Sequence, residues 1–89
     1  MTTMKNIRIA TAQFEHRNGD KAWNLSRIDE LAGRAARAGA DAVAFHECSV
    51  TGYAFARKLS REAMLALAEP VPGGPSIEAL RRIAARHGL

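Results

Sequence analysis

The sequence has little of several features that would define a class of protein. It contains one cysteine, Cys48, so an internal disulfide is excluded. A single thiol fits a reducing compartment, and we expect a cytoplasmic protein. No apolar run reaches the length of a signal peptide core or of a membrane-spanning helix. Although the net charge is +4, no long run carries one sign, which excludes a charged binding tail.

The remaining composition is that of a folded domain, with 47% hydrophobic and 25% charged residues. A length of 89 residues allows one small domain with a small core. The arginines are spread over three segments, which favours solvated helix faces over a nucleic-acid footprint. The alternative is a small basic nucleic-acid-binding or interaction module, which salt-dependent DNA binding would support. A redox or receiver-like domain would need a glycine loop or an acidic cluster after the first strand, and neither is present.

Hydrophobic periodicity predicts a strand, a helix and a second strand in the first half of the chain. Ile7–Gln13 alternates with a period of two and contains β-branched residues, which is typical of a strand. The segment Lys21–Ala38 has apolar residues at helical spacing, with Asp20 as N-cap and Gly39 in the left-handed conformation at its end. The uninterrupted apolar run Ala42–Phe45 predicts a parallel strand covered on both faces.

The second half is predicted to be mostly helical. We expect a loop over His46–Leu59, a short helix Arg61–Ala68 capped by Ser60, and a longer helix from Pro75 to His87. The residues predicted to face the core are Leu25, Ile28, Ala32, Ala35, Ile77, Leu80, Ile83 and Ala84. A βαβα pattern calls for a further strand after Leu89, since two parallel strands rarely form a stable sheet. We therefore expect a truncated α/β domain.

The segment after the second predicted strand carries the candidate chemistry. Glu47 lies at the carboxyl end of that strand, where partial desolvation would raise its pKa and suit it to general base catalysis. We expect the neighbouring Cys48 to point away as a small buried thiol, because adjacent residues of an extended segment face opposite sides. Tyr53 either lines a pocket or packs under the loop. The three histidines show no metal-ligand spacing, so no metal or cofactor is expected.

The stretch 43–53, VAFHECSVTGY, resembles the glutamate motif of the nitrilase superfamily of carbon–nitrogen hydrolases. In that family an apolar strand runs into a glutamate, and a Thr-Gly-Tyr or a close relative follows. The stretch 9–13 is similar to the first strand of the family, 24–41 to its first helix and turn, and 74–89 to its next helix. The family usually has proline before the glutamate. His46 stands there instead, which leaves the subgroup open.

The resemblance implies that residues 1–89 form the N-terminal βαβα portion of a single αββα sandwich domain. It also implies a Glu–Lys–Cys triad that cleaves amide, carbamoyl or nitrile substrates and needs no cofactor. Glu47 matches the glutamate, whereas the lysine and the cysteine would lie beyond Leu89. The full-length protein would be a homo-oligomeric enzyme without a membrane or nucleic-acid partner, and the 89-residue chain alone would be inactive.

Overall fold

The computed structural model describes residues 5–89, which form a partial α/β fold. Two short strands and three α-helices are joined by loops, one of which contains a 3-10 helix. In chain order these elements are β1 (Ile9–Ala12), α1 (Lys21–Arg37), β2 (Ala42–Phe45), the 3-10 helix (Ala54–Lys58), α2 (Arg61–Leu67) and α3 (Pro75–His87). The 3-10 helix falls within the predicted loop, so that part of the prediction is wrong.

The helix boundaries follow the capping residues closely. Asp20 accepts a hydrogen bond of 3.1 Å from the backbone N–H of Trp23, which fixes the start of α1. Gly39 follows the end of α1 with φ of 94°, a conformation that favours glycine. Ser60 caps α2 in the same way as Asp20 caps α1, by accepting from the N–H of Ala63 at 3.1 Å. These three caps confirm the predicted helix ends to within one residue.

The two strands pair in parallel, with Ile9 opposite Ala42 and Ala12 opposite Phe45. β2 has the predicted boundaries, but β1 is three residues shorter than the predicted Ile7–Gln13. The alternating pattern extends beyond β1, whereas β2 offers only four partners for hydrogen bonding. The length of β1 is therefore set by its neighbour and not by its own periodicity.

One face of the sheet packs against α1 and α3. Ile28, Ala32 and Ile83 are buried and form the centre of a small core. The other residues predicted to face the core are partly buried: Leu25, Ala35, Ile77, Leu80 and Ala84. The opposite face is open within residues 5–89: Ile9 is 61% exposed. The covering of the second face of β2 stays a prediction, because both helices that pack on the sheet in the described chain lie on the same side.

No helix within residues 5–89 combines the length and the apolar character that crossing a membrane requires. The domain is elongated, with extents of 53 × 26 × 21 Å.

Candidate active site

The carboxyl ends of β1 and β2 lie at the same edge of the sheet, because the strands are parallel. Residues 13–16 follow β1 at this edge, and His46 and Glu47 follow β2. Glu47 lies in a turn, and its side chain is exposed. Its position at the strand end agrees with the sequence-based prediction, but the predicted partial desolvation is absent. In the described chain the carboxylate is open to solvent and to any further group that approaches this edge.

A buried asparagine holds the loop that carries Glu47. Asn24 lies on the core side of α1 and is 0% exposed. Its amide nitrogen donates to the carbonyl oxygens of Arg17 and Val50, and its amide oxygen accepts from the N–H of Arg17, each at 2.8 Å. The N–H of Gly19 also donates to the carbonyl of Thr51 at 2.8 Å. The loop after β2 is therefore fixed both to the loop after β1 and to α1.

In the sequence, Asn24 was noted only as part of the stretch 24–41 that resembles the first helix and turn of the family, and no role was predicted for it. The signal was present, because Asn24 stands four residues before Ile28 and eight before Ala32 on the apolar stripe of α1. A polar residue on such a stripe is buried, and a buried amide must find hydrogen-bond partners.

Cys48 differs from its prediction in two respects. It is an exposed free cysteine, not a buried thiol. Residues 47–51 form a turn, and Cys48 has φ of 57°, in the left-handed region that non-glycine residues rarely adopt. The argument from alternating side chains in an extended segment therefore does not apply. The turn is closed by a hydrogen bond of 2.8 Å from the N–H of Gly52 to the carbonyl of Cys48.

Tyr53 is 60% exposed and lines an apolar groove of about 700 Å³. The groove begins at Cys48 and continues along the 3-10 helix to one side of α2, which contributes Met64 and Leu67. Of the two interpretations left open for Tyr53, this position agrees with the one that places it on a pocket wall.

Two histidines come together beside Glu47, although they are 30 residues apart in the sequence. His16 Nδ1 lies 3.1 Å from His46 Nε2, within hydrogen-bonding distance. The His46 ring also packs edge-on against Phe14, with ring centroids 4.9 Å apart. No signal in the sequence places His16 here, since it lies in an irregular segment. Within residues 5–89 no three His, Cys, Asp or Glu side chains are grouped so that they could hold a metal ion.

The two carboxylates of the described chain with shifted pKa values connect helices. Hydrogen bonds from Lys21 and Ser76 lower the pKa of Glu69 from 4.5 to about 2. Glu69 thereby links the start of α1 to the start of α3. The hydrogen bond with His87 lowers the pKa of Asp29, and Arg86 adds to the effect. These groups stabilise the packing of α1 against α3, and they do not line the groove beside Tyr53.

Ligands of open α/β sheets bind outside the carboxyl ends of the strands, so this edge and the groove beside it form the candidate site. The sequence profile of the family described as "Carbon-nitrogen hydrolase" matches residues 8–89. The chain belongs to this family, which confirms the resemblance to the nitrilase superfamily. A comparison with curated protein sequences finds no significant match.

Proposed function

We propose that Glu47 is the general base of a hydrolase that cleaves amide, carbamoyl or nitrile groups through a Glu–Lys–Cys triad. The observation that supports this most is the position of Glu47, exposed at the carboxyl edge of β2 in a loop that Asn24 holds in place. Membership of the carbon–nitrogen hydrolase family supplies the reaction class. The triad and the choice among the three substrate classes are part of the proposal.

In the proposed mechanism for an amide, Glu47 takes the thiol proton while the cysteine sulfur attacks the carbonyl carbon. The lysine ammonium stabilises the negative charge that develops on the carbonyl oxygen. Glu47 then gives its proton to the leaving nitrogen, which departs as the amine or ammonia and leaves a thioester. Water attacks the thioester carbon while Glu47 removes one of its protons. The carbon–sulfur bond then breaks, the acid is released, and Glu47 returns the proton to the sulfur.

We further propose that residues 1–89 are the N-terminal part of a single αββα sandwich domain, and that the lysine and the nucleophilic cysteine follow Leu89. One feature of the described chain supports this for the lysine: the ammonium of Lys21 is engaged by Glu69 and by the carbonyl of Leu67, at 2.6 Å each. On this proposal the isolated 89-residue chain is inactive, and the full-length protein is a cytoplasmic homo-oligomer.

The groove beside the loop is proposed to receive the part of the substrate that does not react. Its lining is mostly apolar, with Tyr53 and Phe55 on one wall, and it contains one cation, Arg57. An apolar substituent would fit this surface, and Tyr53 would contact it directly.

The alternative of a nucleic-acid-binding module gains no support from the charges. Four arginines pair with carboxylates, in the pairs Arg17–Asp20, Arg27–Glu30, Arg81–Glu78 and Arg86–Asp29. Charges neutralised in this way contribute less to phosphate binding.

The test of the proposal is Glu47→Gln in the full-length protein, with Glu62→Gln on an exposed turn of α2 as the matched control. The assay measures ammonia release from butyramide, N-carbamoylglycine and benzonitrile, together with thermal unfolding. Glutamine keeps the size of the side chain but cannot take a proton, so kcat/KM falls by about 10²–10⁴-fold without a change in Tm. The control retains the rate. A Glu47→Gln protein with a normal rate constant would contradict the proposal.

A further inference from the structure

The His16–His46 pair lies directly beside the proposed base. His46 is the residue before Glu47, and its ring has an edge contact with Phe14 and lies nearly parallel to the ring of His16, to which it is also hydrogen-bonded. Its second nitrogen, Nδ1, is buried and has no hydrogen-bond partner within residues 5–89. The bond to His16 is therefore the only side-chain hydrogen bond that fixes the His46 ring in the described chain.

Glu47 itself has no such restraint. Its side chain is exposed, and no residue in the range 5–89 hydrogen-bonds to its carboxylate. Its direction is consequently set by the backbone at the exit of β2, that is, by residues 46–48. A proline before the glutamate would restrict this backbone through its ring. Histidine has no such restriction, so the contacts of the His46 side chain add to the restraint that the closed turn and the bond from Asn24 place on this loop.

We propose that His16 is a positioning residue for the hydrolase reaction: its Nδ1 holds the His46 ring and thereby aims Glu47. This inference rests on the proposed function, because it takes Glu47 as the base. The pair joins the exits of the two strands, so the direction of Glu47 is set relative to β1 as well as β2. A shift of about 1 Å in a catalytic group can lower the rate about 100-fold.

The geometry of the pair allows a sharp test, because the two rings use different atoms. His16 bonds through its δ nitrogen and His46 through its ε nitrogen. Asparagine carries its amide at the δ position and glutamine at the ε position, and either amide can donate or accept. At position 16, asparagine should therefore keep the hydrogen bond between the two side chains and glutamine should lose it. At position 46, glutamine should keep this bond and asparagine should lose it.

The experiment uses the full-length protein and the three probe substrates named above. His16→Ala, His16→Gln and His46→Asn are expected to lower kcat by about 10–100-fold while KM changes less than about threefold. His16→Asn and His46→Gln are expected to retain kcat within about threefold. Thermal unfolding of all five variants is measured in parallel. A merely structural role would lower Tm and the active fraction without the inverted order of asparagine and glutamine.

Glu47→Gln is measured in the same series, so that the two proposals fail in different ways. If Glu47→Gln abolishes turnover and His16→Ala keeps the normal kcat, only the positioning role is overturned. The positioning role alone is also overturned if the kcat values of the asparagine and glutamine variants fall in the same order at position 16 as at position 46. If Glu47→Gln keeps the normal rate, the proposed function is overturned, and the positioning role is overturned with it.

Discussion

Replacing Asn24 gives a direct measure of how strongly α1 holds the loop that carries Glu47. The side chain is fully buried and makes three hydrogen bonds of 2.8 Å, two to Arg17 and one to Val50. A hydrogen bond contributes about 1 kcal/mol net to stability. Asn24→Ala in the full-length protein is therefore expected to lower the free energy of unfolding by about 3 kcal/mol.

Asn24→Asp gives a second and more specific result. The carboxylate can still accept from the N–H of Arg17, but it turns a negative oxygen toward two carbonyl oxygens where the amide donated. Burial and these oxygens favour the neutral acid, so the pKa of the introduced carboxyl is raised. The loss in free energy of unfolding, relative to the unsubstituted protein, is then largest at neutral pH. It shrinks as pH falls and the acid regains a proton to donate.

Urea unfolding followed by circular dichroism at pH 7 and pH 5 measures both effects, with the exposed Asn6→Ala as control. The control should change the free energy of unfolding by less than about 0.5 kcal/mol. A loss below about 1 kcal/mol for Asn24→Ala would refute the reasoning. So would an Asn24→Asp deficit that does not depend on pH.

Two further outcomes are expected in the full-length protein. Cys48→Ser keeps most of the turnover of the probe amide, because Cys48 is not the proposed nucleophile; loss of substrate acyl capture by this substitution alone would assign it that role. Glu69→Gln removes a carboxylate whose pKa is lowered from 4.5 to about 2, so the stability that this group contributes is complete above about pH 4.5 and disappears toward pH 2. The melting temperatures of the Glu69→Gln variant and of the unsubstituted protein should differ at pH 7 and converge as pH falls to about 2. A difference that stays constant with pH would contradict the assigned cause.

Local sequence signals predicted the elements of the fold well. Asp20, Gly39 and Ser60 marked the helix ends because a capping residue acts on backbone groups only a few residues away. The side chains of Asp20 and Ser60 each accept from an N–H three residues later, and Gly39 adopts the left-handed conformation just after α1. The strand ending at Phe45 also followed from its own residues. β1 was predicted too long because its pairing partner, 33 residues away, determines its extent.

The site was predictable only in part. The position of Glu47 followed from the end of a strand, which is a local property. The meeting of His16 with His46 and the hydrogen bonds of Asn24 depend on how two loops approach each other, which no periodicity encodes. Cys48 was misplaced because a loop of unknown backbone was treated as extended, whereas its left-handed conformation closes a turn.

The packing of α1 against α3 has a consequence for the order of events during synthesis. Ile28 is covered by Ile83, which the ribosome adds 55 residues later. At roughly 5–20 residues per second, about 3–11 seconds pass between the synthesis of Ile28 and that of Ile83. During that interval Val43 and Phe45 of β2 can already pack against Ile28 and Ala32, but the cover that α3 provides is missing. The small core around Ile28 is therefore complete only after α3, the last helix of the described chain, has been made.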